Sequence, residues 1–94
     1  MNNSDPITEH AEVVALNGLR FLASETARFS RFLNLTGVES EHIQELAPQP
    51  EFLASVMDYL LSDQALLLEF AESESLHPQT IEKLRRKLPG AVLS

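Results

Sequence analysis

Residues 52–71 read FLASVMDYLLSDQALLLEFA, and this stretch is the most apolar part of the 94-residue chain. Fourteen of its twenty residues are hydrophobic. Apolar residues of its first half recur at three- and four-residue steps, which is the helical period, and its second half is apolar nearly all round, which is typical of a helix at the centre of a core. We therefore expect two helices here, or one helix kinked at Ser62 and Asp63, with the rest of the fold packed around them.

Prolines and capping residues divide the remaining sequence into further helices. Asp5 and Ser24 are predicted N-caps, Gly37 a predicted C-terminal stop, and Gly18 a point where another helix comes close. No segment alternates with a period of two, as a strand would. The sequence thus predicts an all-α fold, a compact bundle of about six helices. The predicted helices are 6–23, 25–35, 40–47, 50–61, one that carries residues 65–71, and 78–88.

Length and composition fit one globular domain over residues 1–94, with 1–5 and 91–94 expected to fray. The chain has no cysteine, which excludes disulfides, thiolate zinc sites and a cysteine nucleophile. Its first ten residues, MNNSDPITEH, lack the basic and apolar regions of a secretory signal. Asp58, Asp63 and Glu69 would be costly inside a bilayer, although the apolar stretch is long enough to span one. We expect a cytoplasmic protein that does not enter membranes.

An internal repeat is a further hypothesis. Residues 16–46 laid over residues 54–84, at a constant offset of 38, give six identities in 31 pairs. The identical pairs are core or cap positions, which favours one three-helix unit used twice. Two unrelated helical segments aligned at their caps would also share Leu and Ser, so both interpretations stay open. The six pairs are Leu22/Leu60, Ser24/Ser62, Ala27/Ala65, Phe32/Phe70, Ile43/Ile81 and Leu46/Leu84.

No arrangement of residues indicates catalysis or a bound cofactor. His10, His42 and His77 lack the spacing of a metal site, and we interpret them as surface residues, His77 also as a cap. Asp58 and Asp63 flank the apolar core, where a carboxylate could do proton chemistry, but their positions favour structural roles. We predict no catalytic, metal-binding or cofactor-binding residue, and no enzymatic activity.

The charge is −7, from fourteen acidic and seven basic residues, which weighs against binding to nucleic acid and anionic membranes. One basic contact patch is nevertheless a candidate, near the carboxyl end. If the last helix entered a major groove, Gln79, Thr80 and Lys83 would face bases and the patch would meet phosphates. The same cations could simply complement the helix dipole, which we prefer. The patch comprises Lys83, Arg85, Arg86 and Lys87.

Spacing typical of a helix-turn-helix unit supports that alternative. Small, turn and core residues fall at the required steps around Ser75, and again around Gly37. Any two helices joined by a short turn give the same spacing, so it is weak evidence for DNA binding. The positions are Ala71, Ser75, Leu76, Ile81 and Leu84.

The runs RFLNLTGVESEHIQEL, EFLASVMDYLLSDQALLLEFAESESLHP and KLPG resemble a family of short, all-helical alphaproteobacterial proteins known as a domain of unknown function. The resemblance covers about Ala11 to Gly90. It implies a small cytosolic bacterial protein and brings no catalytic or binding residue with it.

These observations favour a protein-protein interaction or regulatory module, with nucleic-acid binding through the last helix as the alternative. The expected partner is another protein or a second copy of the chain, as a homodimer. Phe52, Tyr59 and Leu67 exceed what two layers of helices can cover, so we expect them to leave an exposed apolar patch for that partner.

Overall fold

The computed structural model describes residues 6–90 and contains six α-helices in that range. They are α1 Pro6–Ala23, α2 Thr26–Thr36, α3 Ile43–Leu46, α4 Pro50–Leu61, α5 Gln64–Glu74 and α6 Pro78–Arg85, and a 3-10 turn, Ser40–His42, leads into α3. Residues 6–90 form no strand, and the predicted all-α class is confirmed. The expected fraying of both ends and the predicted cap at Asp5 lie outside the described residues.

Helices α1 and α4 form the centre of the core. Each contributes six buried residues, and α1 also packs against α2, α5 and α6. Helix α5 contributes only Leu67, Phe70 and Ala71, and Leu68 on its other side is 48% exposed. The expectation that α5 is the centre is therefore wrong. Its apolar sequence predicts burial all round, but α1, α4 and α6 leave the side with Leu68 uncovered.

Gly18 allows α1 and α4 to approach closely. A Cβ atom built on Gly18 would lie 2.7 Å from Cδ1 of Leu60 and 3.4 Å from Cγ1 of Val56. Carbon atoms pack at about 3.5–4.0 Å, so a Cβ at Gly18 would force the Leu60 side chain to shift. The close approach predicted at Gly18 is confirmed.

Helices α4 and α5 are separate, because the chain leaves helical geometry between them. Asp63 is extended, with φ −131° and ψ 112°, and its Oδ1 accepts a hydrogen bond from the backbone N–H of Leu66 at 3.1 Å. Ser62, just before it, donates from Oγ to the carbonyl oxygen of Tyr59 at 2.7 Å. The side-chain cap on α5 fixes where the second helix starts.

Helices α2 and α5 have the same length, and the backbone geometry at their caps is similar at the offset of 38, although only Asp63 also caps with its side chain. Glu25, which precedes α2, is extended with φ −128° and ψ 125°, as Asp63 is before α5. Both helices end in the left-handed region, at Gly37 with φ 76° and at Ser75 with φ 56°. Ser24, the predicted cap of α2, is not its N-cap. Its hydroxyl donates back to the preceding turn instead, as that of Ser62 does.

Two aromatic pairs also correspond at this offset. The ring centroids of Phe21 and Phe70 are 5.4 Å apart, and those of Phe32 and Tyr59 are 5.2 Å apart. Adding or subtracting 38 converts one pair into the other, as expected of two halves facing each other across a two-fold axis. Duplication of one unit stays a prediction.

Helix α6 ends at Arg85, three residues before its predicted end. The N–H groups of residues 86, 87 and 88 each donate to the carbonyl three residues back, so the chain tightens into 3-10 turns. Leu88 is still buried, as predicted. The Cα radius of gyration is 12.7 Å, close to the value of about 12 Å expected for a compact domain of this length.

Candidate functional site

The predicted basic patch does not stay together as four surface cations. Lys83, Arg86 and Lys87 are exposed, but Arg85 is 8% exposed and points inward. The sequence carried a signal for this. Ile81, Leu84, Arg85 and Leu88 lie at three- and four-residue steps, so Arg85 belongs to the core-facing stripe of α6.

Arg85 ties the end of α6 to α4. Its Nε donates to Oδ1 of Asp58 at 2.6 Å and its Nη2 to Oδ2 at 3.1 Å, which makes a bidentate pair. Its Nη1 donates to the carbonyls of Leu88 at 3.2 Å and Pro89 at 3.0 Å, and its Nη2 to that of Gly90 at 3.1 Å. All five N–H donors of the guanidinium are thus used within the chain. We call this arrangement the Arg85 clamp.

The remaining residues singled out in the sequence have local structural roles. Asp63 caps α5, and Nδ1 of His77 accepts from the N–H of Gln79 at 3.1 Å to cap α6, as predicted. His10 and His42 are exposed. Among residues 6–90 no group of three His, Asp or Glu side chains is placed to hold a metal ion.

The predicted apolar patch is wrong. Phe52 is 6% exposed and Leu67 is 7% exposed. Helices α1 and α6 pack against both α4 and α5, and the ring of Phe32 on α2 lies 6.0 Å from that of Phe52. Tyr59 is half-buried and packs edge-on against Phe32. The most exposed large apolar residues of the described chain are elsewhere: Ile7, Val13, Leu35 and Leu68.

A groove between α2 and α5 has walls of opposite charge. Its volume is about 360 Å³, and Arg28 on one wall donates from Nη2 to Oε1 of Glu69 on the other at 2.9 Å. The Arg28 guanidinium also lies 4.6 Å above the ring of Phe21. The Arg28–Glu69 pair therefore bridges α2 and α5 across this groove.

A second groove, which we call the α1–α4 groove, has a different character. Its volume is about 450 Å³, and its surface is mostly apolar. Leu53 forms the floor and is 4% exposed, whereas Val13 on the wall is 55% exposed. The residues that line it come from α1, from the turn after α3 and from α4: Glu9, Glu12, Val13, Leu16, Ala47, Pro48 and Leu53.

The rim of the α1–α4 groove is acidic. Glu9 and Glu12 are one helical turn apart, and neither forms an ion pair with any residue in the range 6–90. Like charges at this spacing repel each other slightly, so a cation between them would be favourable. This groove can therefore accept an apolar side chain on its floor and a basic one at its edge.

No helix in the described part of the chain combines the length and hydropathy needed to cross a membrane. No curated protein and no solved structure matches the chain. One protein family does match, over residues 8–91, and it is described as "Protein of unknown function (DUF3572)". This range includes the region, about Ala11 to Gly90, over which the sequence resembles a domain of unknown function. The chain therefore belongs to the DUF3572 family.

Proposed function

We propose that the protein is a protein-protein interaction module whose α1–α4 groove binds a short partner segment, in which an apolar residue is flanked by Lys or Arg. The observation that carries this proposal is the groove itself: an apolar floor at Leu53, an exposed Val13 beside it, and a rim of two acids that form no ion pair within residues 6–90. Exposed apolar surface edged by polar residues is typical of interaction sites.

The energetics set the expected affinity. Burial of one Leu-sized side chain in the groove contributes about 1.5–3 kcal/mol, and each exposed ion pair at the rim about 0.2–1 kcal/mol. The ordering of the segment offsets part of this gain. With two ion pairs at the rim the gain is about 2–5 kcal/mol before ordering is subtracted, so we expect a weak and reversible contact with a dissociation constant in the millimolar range, at best about 0.2 mM.

The test is selection of random peptides displayed on phage against the folded chain, followed by titration of the enriched peptides. The expected peptides carry a Leu, Ile, Val or Phe next to Lys or Arg. Val13→Glu should weaken the binding of these peptides about tenfold or more, since it puts a charge on the apolar wall of the groove. The matched control is Leu35→Glu, because Leu35 is 70% exposed on α2 and lies outside the groove, and it should leave binding unchanged.

Peptides that bind Val13→Glu as well as the wild-type chain would contradict the proposal. So would a selection that yields only acidic peptides, or none with detectable binding at about 10 mM.

Nucleic-acid binding through α6 has less support, because the N–H groups of Arg85 donate to acceptors within the protein. Of the basic patch, Lys83, Arg86 and Lys87 remain exposed and could contact phosphates. A gel-shift titration with duplex DNA, at about 50 mM salt, tests it separately. If the chain binds DNA in this assay, and if Arg86→Glu with Lys87→Glu abolishes that binding, the result would favour the nucleic-acid role over the peptide role.

A further inference from the structure

The residues of α1 that line the α1–α4 groove form one stripe along that helix. Glu12, Val13 and Leu16 follow Glu9 by three, four and seven residues, so all four lie on the same face. At a rise of about 1.5 Å per residue, the stripe is about 10 Å long. Its acidic end is toward the amino terminus of α1, and Leu16 is at its apolar end. The groove therefore has a direction as well as a charge.

The lining of the groove favours a helical partner segment over an extended one. Residues 6–90 form no strand, so they offer no sheet edge to which an extended segment could add. None of the described residues that line the groove is aromatic, as the sites that bind polyproline segments are, and the acidic rim repels acidic or phosphorylated segments. An amphipathic helix pairs its own backbone N–H and C=O groups and needs only side-chain contacts from the groove.

We propose that the partner of the α1–α4 groove is an amphipathic helix of another protein, which lies antiparallel to α1. Its apolar residue packs between Leu16 and Leu53, and its Lys or Arg side chains lie beside Glu12 and Glu9. The antiparallel direction places the negative end of the partner's dipole next to the positive end of α1. It also places the basic residues toward the carboxyl end of the partner helix, where they complement its own dipole. This inference deepens the proposed function and rests on it.

The arrangement fixes the spacing of the partner sequence. Leu16 comes four residues after Glu12 and seven after Glu9, and an antiparallel helix repeats these steps beside α1. The expected pattern is therefore an apolar residue followed, four and seven residues later, by Lys or Arg. In an extended segment, which rises about 3.3 Å per residue, the distance of about 6 Å from Leu16 to Glu12 takes only two residues. Spacing thus distinguishes the two conformations.

Titration of the isotope-labelled chain with three synthetic peptides of identical composition tests the spacing and the direction. Each has about twelve residues, which is too short for a stable helix on its own. In the first peptide, Lys and Arg follow a single Leu by four and seven residues, and in the second this order is reversed. In the third they follow Leu by two and five residues, which puts them on the far side of a helix but leaves Lys within reach of Glu12 in an extended segment.

We expect the first peptide to bind about 2- to 25-fold more tightly than the other two. Only this peptide forms both ion pairs as a helix, and each exposed pair contributes a factor of about 1.4 to 5. The amide shift changes should fall on residues 9–16 and 47–53. Transferred nuclear Overhauser effects between successive amide protons of the peptide should show that it is helical when bound.

Glu12→Gln isolates one of the two contacts. It should remove the advantage of Lys over Gln at the fourth position after Leu in the first peptide, and it should leave the advantage of Arg at the seventh. The matched control is Glu45→Gln, because Glu45 is an exposed acid outside the residues that line the groove, and it should retain both advantages. Circular dichroism of each variant confirms that the fold is kept.

Equal binding of the first and third peptides, tighter binding of the second, or an extended bound form would refute the helical partner and leave the proposed function intact. The absence of shift changes at the groove with all three peptides, at about 10 mM, would contradict both. If the same residues shift when the chain alone is concentrated, the groove binds a second copy of the chain, and the inference is overturned.

Discussion

Replacement of Arg85 tests the clamp between α6 and α4. In Arg85→Ala, the Asp58 carboxylate loses a bidentate partner and three carbonyls lose their donors. Removal of one member of a fully buried pair costs about 3–5 kcal/mol, whereas an exposed pair contributes about 0.2–1 kcal/mol. The Arg85 side chain is 10% exposed but that of Asp58 is 58% exposed, so the pair lies between these limits. We expect Arg85→Ala to lower the free energy of unfolding by about 2–3 kcal/mol.

Replacement of Asp58 tests the Arg85–Asp58 pair from the side of the carboxylate. Asp58→Asn keeps one acceptor oxygen but places an NH₂ group against the guanidinium, which donates and cannot accept. Because Asp58 is more than half exposed, water relieves part of the loss, and we expect about 1–2 kcal/mol.

The assay is urea unfolding, followed by far-ultraviolet circular dichroism. Arg86→Ala is the matched control, since Arg86 is an exposed arginine next in the sequence, and it should change stability by less than about 0.5 kcal/mol. The double variant Asp58→Asn with Arg85→Ala should cost about 1 kcal/mol less than the sum of the singles. Equal stability of Arg85→Ala and Arg86→Ala would refute the clamp, as would strict additivity of the two clamp substitutions.

Substitutions at three further positions test the packing and the caps, each by thermal unfolding. Gly18→Ala should change stability by less than about 1 kcal/mol, because the shift that it forces on Leu60 offsets a gain in helix propensity of about 1 kcal/mol; a loss above about 2 kcal/mol would mean that the Leu60 side chain cannot move. Ser75→Gly should stabilise by about 0.5–1 kcal/mol, because Ser75 has a φ of 56°, and a loss of stability would contradict that geometry. Asp63→Ala should cost about 1 kcal/mol through the lost cap of α5, whereas Asp63→Ser should retain most of the stability.

The bounds of the helices were predictable where a residue acts locally. Prolines at the start of α1, α4 and α6 define helix starts through their fixed φ and missing N–H, and Gly37 ends α2 because it tolerates a positive φ. Such signals need no knowledge of the rest of the fold. The predicted cap at Ser24 failed since serine can also bond back into its own turn, and that competition leaves no mark in the sequence.

Burial was predictable only in part, because it depends on which neighbours are present. The sequence of α5 is apolar all round, yet Leu68 is 48% exposed since no helix covers that side. Arg85 was counted as a surface cation because of its charge, although its spacing from Ile81 and Leu88 placed it on the inner stripe. Its partner Asp58 is 27 residues away and could not be identified without the tertiary structure.

The α1–α4 groove was not predictable from the sequence at all. Val13 and Leu16 lie on α1, Ala47 and Pro48 follow α3, and Leu53 belongs to α4. Only the packing of α1 against α4 brings these segments together, and that packing depends on the close approach at Gly18. None of the residues has the spacing of a known motif.

The most direct test that this groove is the interaction site is a titration of isotope-labelled protein with a peptide from the display selection. The amide chemical shifts are measured at each step. We predict that the largest changes fall on residues 9–16 and 47–53, that they saturate, and that they vanish in Val13→Glu but persist in Leu35→Glu. Changes centred on α6, or on the groove between α2 and α5, would contradict the account.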